Sequence, residues 1–184
     1  MSKLDRRQAT LLVIDVQEAF RKALPKFDEV ARAVAALVRG AEATGVPIVV
    51  TEQYPQGLGH TVDEVAERLP DGVRPVEKVC FSATEADGFD LGEREQAIVC
   101  GIETHVCVNQ TVLDLLDEGY EVQLVADAVG SRTEENRRIG LLKAERAGAV
   151  LTSVETALFE LVGRAGTDEF KQVQKLVLEL APNA

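Results

Sequence analysis

The sequence predicts an α/β fold, a parallel sheet with helices on both faces, and two observations carry that reading. Apolar runs of four to six residues recur along the chain, and helix-length amphipathic segments separate them. That alternation is the pattern of βαβ units. At 184 residues the chain is long enough to bury a core without disulfide staples, and one domain spanning 1–184 is expected.

Strand one is expected at about 10–15, where Leu11, Leu12, Val13 and Ile14 run into Asp15. A helix follows on the stripe Val30, Val34, Leu37 and Val38 and stops at Thr44-Gly45, a glycine able to take the left-handed closing conformation. Strand two falls at about 46–51. The segment from Tyr54 to Gly59 reads as a loop whose two glycines suit a flexible lid, and a short helix near 61–68 leads to strand three at about 75–80. Strand four is expected at about 96–101, a helix from about 105 to 118 ends at Gly119, and strand five covers about 121–126. Ser131-Arg132-Thr133-Glu134 reads as a capping box opening a helix that stops at Gly148. Strand six is the brief 149–151, and a second capping box at Thr152-Ser153-Val154-Glu155 starts the next helix. Thr167 opens the last one, whose stripe of Phe170, Val173, Leu176, Val177 and Leu180 needs a cover from its own domain or from a partner subunit.

Composition narrows the function classes. A net charge of −11 disfavours nucleic acid and anionic membranes as partners, because both need clustered Lys and Arg. No apolar run approaches the roughly 20 residues of a membrane span, and the first ten residues are too polar for a secretory signal. Three cysteines without framework spacing suit a reducing compartment, so a cytoplasmic protein is expected. Cys80 and Cys100 lie in apolar runs and read as small core residues.

The chemistry-bearing residues sit at expected strand ends. Asp15 closes strand one, Lys78 lies in the run Pro75–Phe81, and Cys107 falls in the first turn of the helix after strand four. A helix start favours a thiolate, so a lowered thiol pKa is expected there. An acid, an ammonium and a thiol so placed look like a catalytic triad. Gln17, Phe20, Gln53, Tyr54 and Phe81 follow strand ends and are candidates to line a substrate pocket. His105 is two residues from Cys107, a spacing that points helical side chains apart and argues against a Cys–His pair.

Three segments, taken in order, resemble the isochorismatase-like cysteine hydrolases: Ile14-Asp15-Val16-Gln17-Glu18-Ala19-Phe20, Lys78-Val79-Cys80-Phe81-Ser82-Ala83-Thr84, and Gly101-Ile102-Glu103-Thr104-His105-Val106-Cys107-Val108. The resemblance implies a Rossmann-like three-layer sandwich with a six-stranded parallel sheet of order 3-2-1-4-5-6. Strands one and four would then flank the switch point, where ligands bind. It further implies Asp15 as general base, Lys78 as cationic partner and Cys107 as nucleophile. An oxyanion hole would come from the backbone N–H groups of Glu103 and Cys107, next to a cis peptide between Ile102 and Glu103.

The nicotinamidase branch holds a metal with an Asp and several His residues after strand two. Here that region offers Glu52 and His60, and the whole chain has two histidines, so no metal and no cofactor are expected. The expected function is hydrolysis of a small amide or related carbonyl substrate through a thioester, by a homo-oligomer. Two other readings stay open: vinyl ether hydrolysis with Asp15 as acid and Cys107 incidental, and a catalytically idle oligomeric scaffold.

Overall fold

The computed structural model describes residues 3–180. Six strands, β1 (Ala9–Ile14), β2 (Ile48–Gln53), β3 (Val76–Lys78), β4 (Gln96–Ile102), β5 (Glu121–Gly130) and β6 (Val150–Thr152), form one sheet. Every pairing is parallel and the order is 3-2-1-4-5-6, as expected. All residues of β1 and β4 are buried, which is why both read as unbroken apolar runs rather than alternating ones.

Among the described residues there are also seven α-helices, α1 (Phe27–Thr44), α2 (Pro55–Leu58), α3 (Asp63–Ala66), α4 (Cys107–Asp117), α5 (Glu134–Ala147), α6 (Val154–Val162) and α7 (Asp168–Leu180), and a 3-10 turn at Glu18–Phe20. One apolar cluster joins α1, α6 and α7 to one face of the sheet, and a second joins α4 and α5 to the other. The α7 stripe is covered within the chain. Val173 is buried in the cluster containing α1, Val177 and Leu180 pack against it, Leu176 is buried as well, and Phe159 of α6 packs on Phe170 at 6.2 Å between ring centroids. This helix therefore supplies no argument for a partner subunit.

Several boundaries shift. The cap of α5 is Thr133, whose side chain accepts from the Asn136 N–H, so the capping box expected at Ser131 lies two residues early. Ser131 instead bonds His105. The cap of α6 is Ser153, one residue later than expected. In both cases a neighbouring hydroxyl competes for the same role, and the extended residue directly before the first helical one wins. The Thr167 cap of α7 stands, accepting from the Phe170 N–H. The supposed lid is a helical turn, α2, and its closing residue Gly59 accepts a hydrogen bond from buried Gln17. β3 is only three residues long, which leaves Cys80 half-buried in the bend beyond it rather than in the core.

Gly101 explains how β1 and β4 come close enough to build a site between them. Its φ is +116°, the β4–β5 register slips there, and a Cβ would lie 2.0 Å from the Ile14 carbonyl oxygen. Only glycine permits that approach.

Candidate active site

Asp15 is the first residue beyond β1. Its backbone is left-handed, φ 53°, which turns the carboxylate off the strand; aspartate tolerates that conformation better than most residues. Lys78 ends β3, two strands away, and reaches back across β2. Its ammonium donates to Asp15 Oδ2 at 2.8 Å, and neither side chain is exposed. Thr51, paired in register with Ile14, donates its hydroxyl to Asp15 Oδ1 at 2.7 Å. Both carboxylate oxygens are thus held, so the group is aimed as well as charged.

Cys107 opens α4, and its hydroxyl-bearing neighbour one turn on fixes that end: Thr111 Oγ1 donates to the Cys107 carbonyl at 2.7 Å and accepts from the Ala83 N–H at 2.9 Å. Asp15 and Lys78 both act on the sulfur. Burial first, and the Asp15 carboxylate second, push the thiol up to about 12, with Lys78 working against them. This corrects the expected lowering. A helix start contributes at most about 2 kcal/mol, less than desolvation of the sulfur takes from the anion. The resting group is a thiol, and a base must remove its proton.

The loop between β4 and α4 is stitched to the end of β5. The Thr104 N–H and hydroxyl both donate to the Gly130 carbonyl, His105 pairs with Ser131 at 3.1 Å, and the Glu103 carboxylate accepts from the Arg132 N–H and side chain. His105 is engaged with Ser131, not with the thiol. The Ile102–Glu103 peptide is cis. Among the described residues, the N–H groups of Glu103 and Cys107 have no acceptor within the protein, so both donors are unengaged.

The five pocket candidates separate. Gln53 joins the cluster: its side-chain oxygen accepts from Lys78 at 2.7 Å and stands 4.0 Å from Cys107 Sγ. Gln17 is fully buried, and its amide is spent on the backbone of Gln53 and Gly59. Phe20 packs against the apolar core. Tyr54 and Phe81 are exposed, and Tyr54 borders a cleft of about 330 Å³ that also touches Lys78, Val79 and Cys80. Thr51 and Thr111 were not singled out from the sequence. A hydroxyl at the end of an apolar strand, and one four residues past the cysteine on the same helix face, were the available signals.

Where a metal would sit, Glu52 is buried and committed. It accepts from the Thr61 N–H and hydroxyl at 2.6 and 2.7 Å and pairs with His60 at 2.9 Å. Those bonds hold the Glu52 carboxylate below its ordinary range although burial opposes them, and raise His60. Among the described residues, no three His, Cys, Asp or Glu side chains converge as a metal site.

Comparison with known proteins gives concordant matches. Residues 9–156 match the isochorismatase domain family. The secreted isochorismatase effector Isc1 of Phytophthora sojae is 41% identical over 97% of this chain and 89% of its own. Among solved structures, one described as the MAR1 ribonuclease of Caenorhabditis elegans has a TM-score of 0.91 at 39% identity, covering 99% of this chain and 95% of that one. The YcaC product of Escherichia coli, described as an octameric hydrolase of unknown specificity, has a TM-score of 0.87 at 25% identity, covering 99% and 92%.

Proposed function

The chain belongs to the isochorismatase-domain family of hydrolases, and from that premise we propose that it is a metal-independent cysteine hydrolase of a small amide or related carbonyl compound. The observation that carries this reading is the buried Lys78–Asp15 pair acting on Cys107, with the backbone N–H groups of Glu103 and Cys107 unengaged. Asp15 takes the thiol proton as the sulfur attacks the carbonyl carbon, and the N–H groups of Glu103 and Cys107 receive the oxyanion. Asp15 then passes the proton to the leaving nitrogen, the C–N bond breaks, and a thioester remains. Water attacks the thioester, Asp15 takes one of its protons, the acid leaves, and the proton returns to sulfur. Lys78 stays hydrogen-bonded to Asp15 Oδ2 and balances charge on it between steps.

A panel of small amides, assayed for released ammonia or amine with the wild type and Cys107→Ala side by side, tests this reading. Turnover confined to the wild type supports it. Amide turnover retained in the variant would remove Cys107 as nucleophile; turnover of added vinyl ethers by both proteins, with no amide turned over, favours the vinyl ether chemistry, and no turnover on either class favours the idle scaffold. The worm neighbour is described as a ribonuclease, but a net charge of −11 weighs against a polyanionic substrate here.

Two further outcomes follow. Prolonged chelation should leave turnover unchanged, because Glu52 and His60, the nearest would-be ligands, already hold each other and Thr61. Activity lost on chelation and restored by zinc or manganese would return a metal to the mechanism. Light scattering at micromolar concentration should show a homo-oligomer, a state supported by the octameric relative and by Tyr54, Val79 and Phe81, which stand exposed. A monomer would remove that part of the proposal. Among the described residues no helix is long and apolar enough to cross a membrane. The three free cysteines support a cytoplasmic setting, although the Phytophthora relative is by name secreted.

A further inference from the structure

We propose that Gln53 is a positioning residue for this site: its side-chain oxygen aims the Lys78 ammonium at Asp15 and, facing the sulfur, keeps Cys107 protonated at rest. The inference rests on the cysteine-hydrolase reading and assigns a task to a residue outside the three acting groups.

The amide of Gln53 has one orientation open to it. Nε2 donates to the Val79 carbonyl at 3.0 Å and Oε1 accepts from Lys78 Nζ at 2.7 Å, so a flipped amide would set N–H against ammonium and oxygen against oxygen. The backbone of Gln53 is clamped as well. Its N–H donates to Gln17 Oε1 at 2.8 Å and its carbonyl accepts from Gln17 Nε2 at 3.0 Å, while Gln17 itself is fully buried.

Lys78 has three N–H groups and four acceptors. Asp15 Oδ2 and Gln53 Oε1 are the close ones, at 2.8 and 2.7 Å, and the Cys80 and Phe81 carbonyls share the remainder at 3.2 and 3.1 Å. The ammonium is shared between these oxygens and the sulfur, on which both it and the Asp15 carboxylate act. The sulfur also meets Gln53 Oε1, at 4.0 Å, the negative end of a fixed dipole. The charged groups that act on the thiol are Asp15, from the end of β1, and Lys78, from the end of β3. Gln53 therefore offsets the help Lys78 could give a thiolate, in the same direction as Asp15. Proton removal is left to Asp15 when a substrate is in place.

The test is the pH profile of Cys107 alkylation by iodoacetamide, read by mass spectrometry, in the wild type, Gln53→Met and Gln53→Glu. Methionine removes the oxygen and frees a Lys78 N–H, so the profile moves to lower pH. Glutamate, of the same shape, puts a full negative charge beside the sulfur, and the profile moves to higher pH by about one unit or more. Opposite displacements support the assignment; a merely structural role would move both variants alike or neither. Identical profiles, or displacements in one direction, overturn it. Should Gln53→Glu fail to fold, the methionine arm decides alone, a downward displacement supporting the proposal and none refuting it. Wild-type Cys107 that resists alkylation at every pH, or is alkylated without loss of turnover, would overturn the cysteine-hydrolase reading, and this proposal with it.

Discussion

Cys107→Ala is expected to lose turnover by about 10⁴-fold or more while the protein stays folded. The thiol is the only group lost. Its contribution to packing is one small side chain at the start of α4, worth about 1 kcal/mol of buried area. The helix start itself is kept, because Thr111 holds the backbone carbonyl of residue 107 rather than its side chain. Cys100→Ala should show the opposite pattern. Cys100 is fully buried in β4 with its sulfur near the Leu12 carbonyl, so the change costs stability and leaves the chemistry intact. Cys80→Ala should do little to either, since Lys78 uses the Cys80 carbonyl and the residue is only half-buried. Activity assays and denaturant melts on the three variants separate these outcomes.

The second large effect concerns the buried ion pair. Asp15→Asn removes the proton acceptor, with an expected rate loss of about 10²–10⁴-fold. Sequence reasoning predicts no accompanying damage to the fold, because the amide preserves shape. Burial changes that expectation. Both side chains of the pair are inaccessible, and the substitution strands an ammonium with only neutral acceptors. Breaking such a pair from one side costs about 3–5 kcal/mol. Lys78→Met should be comparably destabilising, leaving the carboxylate with Thr51 as its one strong donor. The double variant Asp15→Asn/Lys78→Met buries no net charge and should recover most of the lost stability with none of the activity. Single variants as stable as the wild type would show that the pair is neutral or hydrated in the native state.

Most of the fold was legible because it rests on local signals. The buried runs of β1 and β4 and the Thr44-Gly45 stop each mark their element without reference to distant residues. The errors arose where two residues compete for one role. Ser131 and Thr133 are equally good caps by type, and only the packing of β5 against the β4–α4 loop assigns Ser131 to His105. Strand order is a non-local property, and it came through family resemblance.

The site divides in the same way. Asp15, Lys78 and Cys107 stand out because charged or reactive groups beside buried strands are rare. Gln53, Thr51 and Thr111 are ordinary polar residues whose importance appears only when register brings Thr51 beside Ile14 and places Gln53 between Lys78 and the sulfur. The thiol's pKa was misjudged for a related reason. The helix start is visible in the sequence, whereas the depth of the sulfur and its closeness to Asp15 are not.

The central claim is that Cys107 is the nucleophile, and thiol modification tests it most directly. The protein is treated with iodoacetamide, the label at Cys80, Cys100 and Cys107 is quantified by mass spectrometry, and residual turnover is measured on the best amide found. Activity should fall in proportion to label on Cys107, and substrate should protect both. Full turnover in protein whose Cys107 is completely alkylated would contradict the account.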